Sequence, residues 1–250
     1  MHAATALIIA LAFQDAPAKE AEPTLKPLCE IAKRLDEGMQ AFLGGKDMKE
    51  SFKNWDAGET SEAVITKFRE DLAKAHVVAA RTFGLELRLV FYSEDKQVYQ
   101  ASAMVHVTPA DAVLCGVRGR ESSGTNKVGV LPDKCGKEAK PFADAGKALL
   151  RLLKSEKELP LADADKISAL LPKFYQTGLK KKFEEAKADA EKAKSQIAAL
   201  KYDEVRIFLD EQYFTATGSE GGLKEGMIRG KLKLTETGEV TFRLSRWETK

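Results

Sequence analysis

Cysteine and histidine are both scarce in this 250-residue chain, with three of each. Cys29, Cys115 and Cys135 form no CxxC or CxxCH pattern, which excludes zinc-knuckle, thioredoxin-type and c-type haem sites. His2, His76 and His106 are too dispersed for HExxH or a three-histidine zinc centre. There is no GxSxG elbow, and Ser122 and Ser123 have no third group nearby in sequence to orient His106 or His76 as a base. Neither sign of charge dominates: 40 Lys and Arg stand against 38 Asp and Glu, a formal net charge of +2. Composition therefore gives no case for nucleic acid or an anionic membrane as partner. Beyond the N-terminus no apolar run is long enough to span a bilayer. No catalytic residue, metal or cofactor is expected. Acidic residues occur throughout, so a hydrolase whose carboxylates meet only in three dimensions stays open as an alternative.

What is present begins with a leader. Ala3 to Phe13 is an apolar run of signal-peptide length, followed by Gln14-Asp15 and the small-x-small triplet Ala16-Pro17-Ala18. Residues 1–18 read as a signal peptide, which places the mature chain in the periplasm or outside the cell, with a bacterial envelope as the expected setting. Residues 19–250 read as one α+β domain, in which 19–84 can form a helical-hairpin subdomain. In an oxidising compartment Cys115 and Cys135 are the expected disulfide; closing that loop of about 20 residues would stabilise the fold by about 3 kcal/mol in the chain-entropy model. Cys29 then remains as a thiol on the buried face of a helix.

Periodicity supplies the elements. Leu28, Ile31, Leu35, Met39 and Phe42 recur at helical spacing until Gly44-Gly45, and a second helix carries Val64, Phe68, Leu72, Ala75 and Ala79. The period then changes to two: Leu85, Leu87, Leu89 and Phe91 alternate with other residues, Ser93–Lys96 turns, and Tyr99 to Val107 return. Thr108-Pro109 reads as a cap opening a short helical turn. Helices resume at about 140–156, 162–171 and 173–200. The last places Leu179, Phe183, Ala186, Ala190, Ala193, Ile197 and Leu200 on a heptad seam, either packed on its own domain or serving as a dimerising arm. Strands fill 203–247. Helices and strands are segregated along the chain, the pattern of an α+β fold with an antiparallel sheet in two hairpin regions, about 85–107 and 203–247.

Gly119 to Lys127, GRESSGTNK, invites comparison with a phosphate-binding loop. Gly119 and Gly124 have the spacing of GxxxxGK[ST], but Thr125 stands where the lysine belongs and Asn126 where the hydroxyl belongs. The stretch reads as a surface loop. The sharper surface signal is the last hairpin. With Ile228, Leu232 and Leu234 turned to the core, Arg229, Lys231 and Lys233 line the other face, joined across the turn by Arg243 and Trp247. The alternative is an ordinary solvated sheet face. The expectation is an exported, non-enzymatic protein that binds an anionic ligand, a glycan or an envelope protein on this basic surface, or contributes to an envelope assembly. The alternatives are the hydrolase above and a coiled-coil scaffold built on 173–200. Nucleic acid is not an expected partner, and no membrane span remains after signal removal.

Overall fold

The computed structural model describes residues 22–52, 55–56, 61–76, 82–124, 132–170, 179–216, 226–234 and 240–249, and from residue 210 onward the backbone alone. The proposed signal segment 1–18 lies outside the described residues. The fold is α+β, an antiparallel sheet with helices, as the segregated pattern requires.

Helix α1, Leu28–Leu43, buries Leu28, Ile31, Leu35, Met39 and Phe42, the stripe its spacing defines. It stops where the Gly44 N–H donates to the Gln40 carbonyl and Gly45, whose N–H donates to the Phe42 carbonyl, takes φ +98°. A single turn, α2 (Met48–Ser51), is capped by Asp47, whose carboxylate accepts from the Glu50 N–H at 2.7 Å. Strand β1 is the pair Trp55–Asp56. Helix α3, Glu62–His76, meets α1 through stacked rings of Phe42 and Phe68, centroids 5.4 Å apart, with the Arg69 guanidinium 4.4 Å from the Phe42 centroid. The side chain of His76 lies outside the description.

Strands β2 (Thr82–Ser93), β3 (Lys96–Val107) and β4 (Ala112–Gly124) form a meander, and β5 (Glu204–Ala216), β6 (Gly226–Leu234) and β7 (Val240–Thr249) form another. They join through an antiparallel β2–β5 pair in the order β1-β7-β6-β5-β2-β3-β4, and β1 adds to β7 in parallel. The alternation of period two gives one face to the core: Leu85, Leu87, Leu89 and Phe91, then Tyr99, Ala101, Ala103, Val105 and Val107, with Leu114, Val117, Ile207 and Leu209 from the flanking strands. Helix α4, Lys140–Lys154, lays Phe142, Ala145, Leu149 and Leu153 into this core, and its Gly146 backbone lies against the Ile207 side chain with no room for a Cβ between them. A short helix α5 (Ala164–Leu170) precedes the long helix α6 (Leu179–Ala199).

Three expectations are corrected. The stretch from Thr108 is no helical turn. The Thr108 hydroxyl oxygen accepts from the N–H groups of Ala110 and Asp111, a local turn that leads directly into β4. Residues 115–124, expected to open the loop between Cys115 and Cys135, belong to that strand, with Gly119 opposite Ala101 and Gly124 opposite Gln97. A wrapped phosphate cradle has no place in a ladder whose N–H groups face a neighbouring strand. Residues 125–127 of that motif lie outside the described residues. Finally, Cys115 and Cys135 form no disulfide. Cys115 occupies a bulge of β4, between the Val105–Leu114 and Met104–Gly116 pairs, and packs with the small cluster of Ala162, Ile167 and Phe183. Cys135 follows a 3-10 turn at Pro132–Lys134 and packs on the main core. The two sulfurs thus serve different clusters as small apolar groups.

The heptad seam of α6 is occupied within the chain. Phe183, Ala190, Ala193 and Ile197 are buried, and Ala186 and Ala193 lie in contact range of the positions a Cβ would take at Gly116 and Gly119 of β4. Small residues on both sides let the helix approach the strand closely.

Candidate ligand-binding face

The opposite face of the sheet carries arginines from three strands beside the buried side chains of Val90, Tyr92 and Gln100. Register aligns two rows across it. One runs Arg120, Gln100, Val90, Arg206; the next runs Arg118, Ser102, Arg88, Phe208. Residues directly opposite one another in antiparallel pairs share a face, so these rows form one surface from β4 through β3 and β2 to β5.

The side chains on it are held by specific contacts. Arg88 places its guanidinium 4.7 Å from the Phe208 ring centroid. Arg206 lies 5.1 Å from the Tyr92 ring centroid and donates Nε to Glu204 Oε1 at 2.7 Å and Nη2 to Glu204 Oε2 at 3.3 Å. That hydrogen bonding drives the Arg206 pKa further up, while burial pushes the Tyr92 hydroxyl up. Arg120 Nη2 donates to Gln100 Oε1, and Gln100 Nε2 donates to Ser102 Oγ, both at 3.4 Å. Gln100 is buried and Ser102 is half-buried. Arg118 sits 3.7 Å from Asp189 of α6, but its side chain is 86% exposed, so the pair contributes little.

One end of the same face holds His106, opposite Gly84 and Val113. Its Nδ1 is buried with no hydrogen-bond partner among the described residues, and burial lowers its pKa to about 4. The Cys115 thiol donates to the Val113 carbonyl at 3.4 Å, and burial pushes its pKa up to about 12. A Cys–His nucleophile needs thiolate and imidazolium together. These two shifts favour the neutral form of both groups, which opposes that chemistry. Among the described residues no three of His, Cys, Asp and Glu gather into a metal-holding group, and no helix is long and apolar enough to cross a membrane.

The expected site residues lie on β6 and β7. Lys231 is registered opposite Arg243, Lys233 opposite Thr241 and Arg229 opposite Arg246. A bulge between Arg229 and Gly230 interrupts the alternation assumed for β7. Trp247 thereby falls opposite Ile228, in the row that continues through Phe214 and Phe83 to Val107, the last two buried in the core. Arg246 takes the position beside Arg229, in the row that runs through Tyr213 and Gly84 to His106. Asp56 of β1 is registered next to Arg243.

Arg88, Arg118, Arg120 and Arg206 were not among the expected site residues. Arg88 and Arg206 could have been found, since each alternates with core residues in a readable strand. Arg118 and Arg120 carry no such signal, because the bulge at Cys115 breaks the period of β4. Comparison with protein-family models, with curated proteins and with solved structures finds no match for this chain.

Proposed function

We propose that the protein is an exported, non-enzymatic binding protein of the periplasm or extracellular space, which captures an anionic ligand, a glycan or an acidic envelope protein on the basic face of its sheet. The observation that carries this reading is the register of β6 and β7, which sets Arg229 opposite Arg246 and Lys231 opposite Arg243. Like charges directly opposite destabilise a sheet. A bound anion offsets that repulsion, at Arg229 and Arg246 above all, since Arg243 already has Asp56 registered beside it. The arginines of β2, β4 and β5 extend the same polarity across the face. The opposed pKa shifts of His106 and Cys115 weigh against a nucleophilic hydrolase built on them.

Two measurements test it. N-terminal sequencing of protein recovered from a bacterial periplasm or culture medium is expected to begin at Lys19; a chain retained uncleaved in the cytosol removes the exported setting. The triple variant Arg229→Gln, Lys231→Gln, Arg243→Gln is expected to keep its circular dichroism spectrum and melting temperature while eluting from a polyanionic matrix at clearly lower salt. Unchanged elution would show that these strands are not the binding surface.

A further inference from the structure

We propose that residues 161–170, which carry helix α5, form an acid-released flap over one end of the sheet, kept shut by a neutral His106 and opened when that imidazole takes a proton. His106 stands directly opposite Val113 in the β3–β4 ladder, and residues so paired share a face. Val113 and Cys115 pack against the buried side chains of Ala162, Ile167 and Phe183. The Cys115 sulfur also lies against the His106 backbone N–H. The cluster that covers these two neighbours thus closes the sheet around His106, whose Nδ1 is buried with no hydrogen-bond partner among the described residues. A neutral ring is tolerated there. An imidazolium brings a charge and a second N–H donor, both of which call for water or an acceptor.

The charged groups nearby do not answer that need. Glu86 of β2 and Asp111 of β4 are diagonal to His106, about 7–8 Å away. Neither offsets burial, which lowers the His106 pKa to about 4. Asp165 and Lys166 of α5 are exposed, and Lys187 of α6 lies over the Phe183 ring with the same charge as an imidazolium. Tyr213 of β5 follows Gly84 in the row, and Arg229 and Arg246 come after it. At about 4.8 Å per strand these arginines stand about 14 and 19 Å from His106, beyond the screening length of about 10 Å. The Cys115 thiol is neutral at any acid pH. Relief therefore has to come from movement. Strands β2, β3 and β4 are fixed in their ladders and in the main core. Helix α5 has seven residues, too few to persist alone, and is tied down by the small cluster and by the Ala162 N–H, which donates to the Leu114 carbonyl. Its release hydrates His106 and bares Cys115 and the β4 edge. Because the closed form binds the proton more weakly, each pH unit below about 6.5 favours the open form about tenfold, down to about pH 4.

The test is amide hydrogen exchange of the full-length protein between pH 7 and 4.5, expressed as protection relative to intrinsic rates. Labelling of Cys115 by dithiodipyridine, an acid-active disulfide, located by mass spectrometry, is the second readout. In the wild type, protection across 161–170 is expected to fall about tenfold per pH unit below 6.5, while β2 and β3 stay more protected and Cys115 labelling rises in step. His106→Leu and His106→Gln are both expected to remove the pH dependence of the two readouts. Ile167→Ala, which loosens the cluster, is expected to speed Cys115 labelling at least about tenfold at pH 7. Equal protection of 161–170 and of β2 and β3 at every pH would mean that the chain opens only as a whole. Acid dependence retained in both His106 variants would place the trigger elsewhere, and unchanged labelling in Ile167→Ala would show that the cluster is not the latch. Any of these three results overturns the flap.

Discussion

Gly119 is needed for the ring of Tyr99, not for phosphate. A Cβ at this position would run into the Tyr99 hydroxyl and sit 3.1 Å from Ala193 Cβ, and that hydroxyl donates to Gln196 Oε1 of α6 at 2.8 Å. Gly119→Ala is therefore expected to cost about 3 kcal/mol by overpacking, whereas Tyr99→Phe, which removes only the hydrogen bond, is expected to cost about 1 kcal/mol. Urea denaturation midpoints of both, and of Gly119→Ala/Tyr99→Ala, check this: the double variant should be less destabilised than the sum of its parts. His106 makes a second prediction. The folded chain keeps it neutral down to about pH 4, while the unfolded chain protonates it near pH 6.5. Between those values the unfolded state holds more protons, so stability falls as pH drops through that window, by about 3 kcal/mol at most, and levels off below it. His106→Leu is expected to flatten this part of the stability–pH curve relative to the wild type, measured by denaturation at several pH values from 7 to 4. A parallel slope in the variant would assign the acid sensitivity to other groups.

Element by element, what could be read from the sequence followed the regularity of each period. The stripe of α1, the alternation of β2 and β3, and most of the seam of α6 survive folding because each buries one face, whereas of the stripe expected on α3 Phe68 is buried and Val64 is exposed. Strand β4 was hidden by its bulge: Leu114 and Val117, three apart, both reach the core, while Cys115 between them packs elsewhere. With the strand unread, Cys115 within it and Cys135 beyond it looked like the two ends of a stapled loop. The same kind of irregularity moved Trp247 out of the cationic row on β7. Bulges are set by tertiary pairing, and a period-two template has no means of detecting them. The alanines of α6 have a use that their spacing did not reveal, which is close approach to glycines of a strand. Ala193→Leu is thus expected to wedge α6 from β4 and lower stability by about 1–3 kcal/mol, read as a shift in the denaturation midpoint. A loss below about 0.5 kcal/mol would mean that the helix is not seated as described.

Across the molecule, the buried seam of α6 predicts how the protein behaves in solution. With Phe183, Ala190, Ala193 and Ile197 covered by their own chain, analytical ultracentrifugation is expected to give a monomer mass at micromolar concentration; a concentration-dependent dimer would reopen the scaffold reading. The outer edge of β4 is also engaged, since Ala162 N–H donates to the Leu114 carbonyl at 3.0 Å. Covering an edge in this way blocks strand addition by another copy. The central β2–β5 pair has a different consequence. Thr82 meets Thr215 there, two residues from opposite halves of the polypeptide, while every other antiparallel pair among the described residues joins strands consecutive in the chain. As the chain emerges from its N-terminus, the first meander can zip up locally, but its β2 flank must wait, with backbone donors and acceptors unmatched, until the last strands arrive. Assembly of this protein is therefore governed by late, long-distance docking, of β5 onto β2 and of β7 onto β1. Until it occurs, the nascent molecule is most vulnerable to proteases and to sticking to its neighbours.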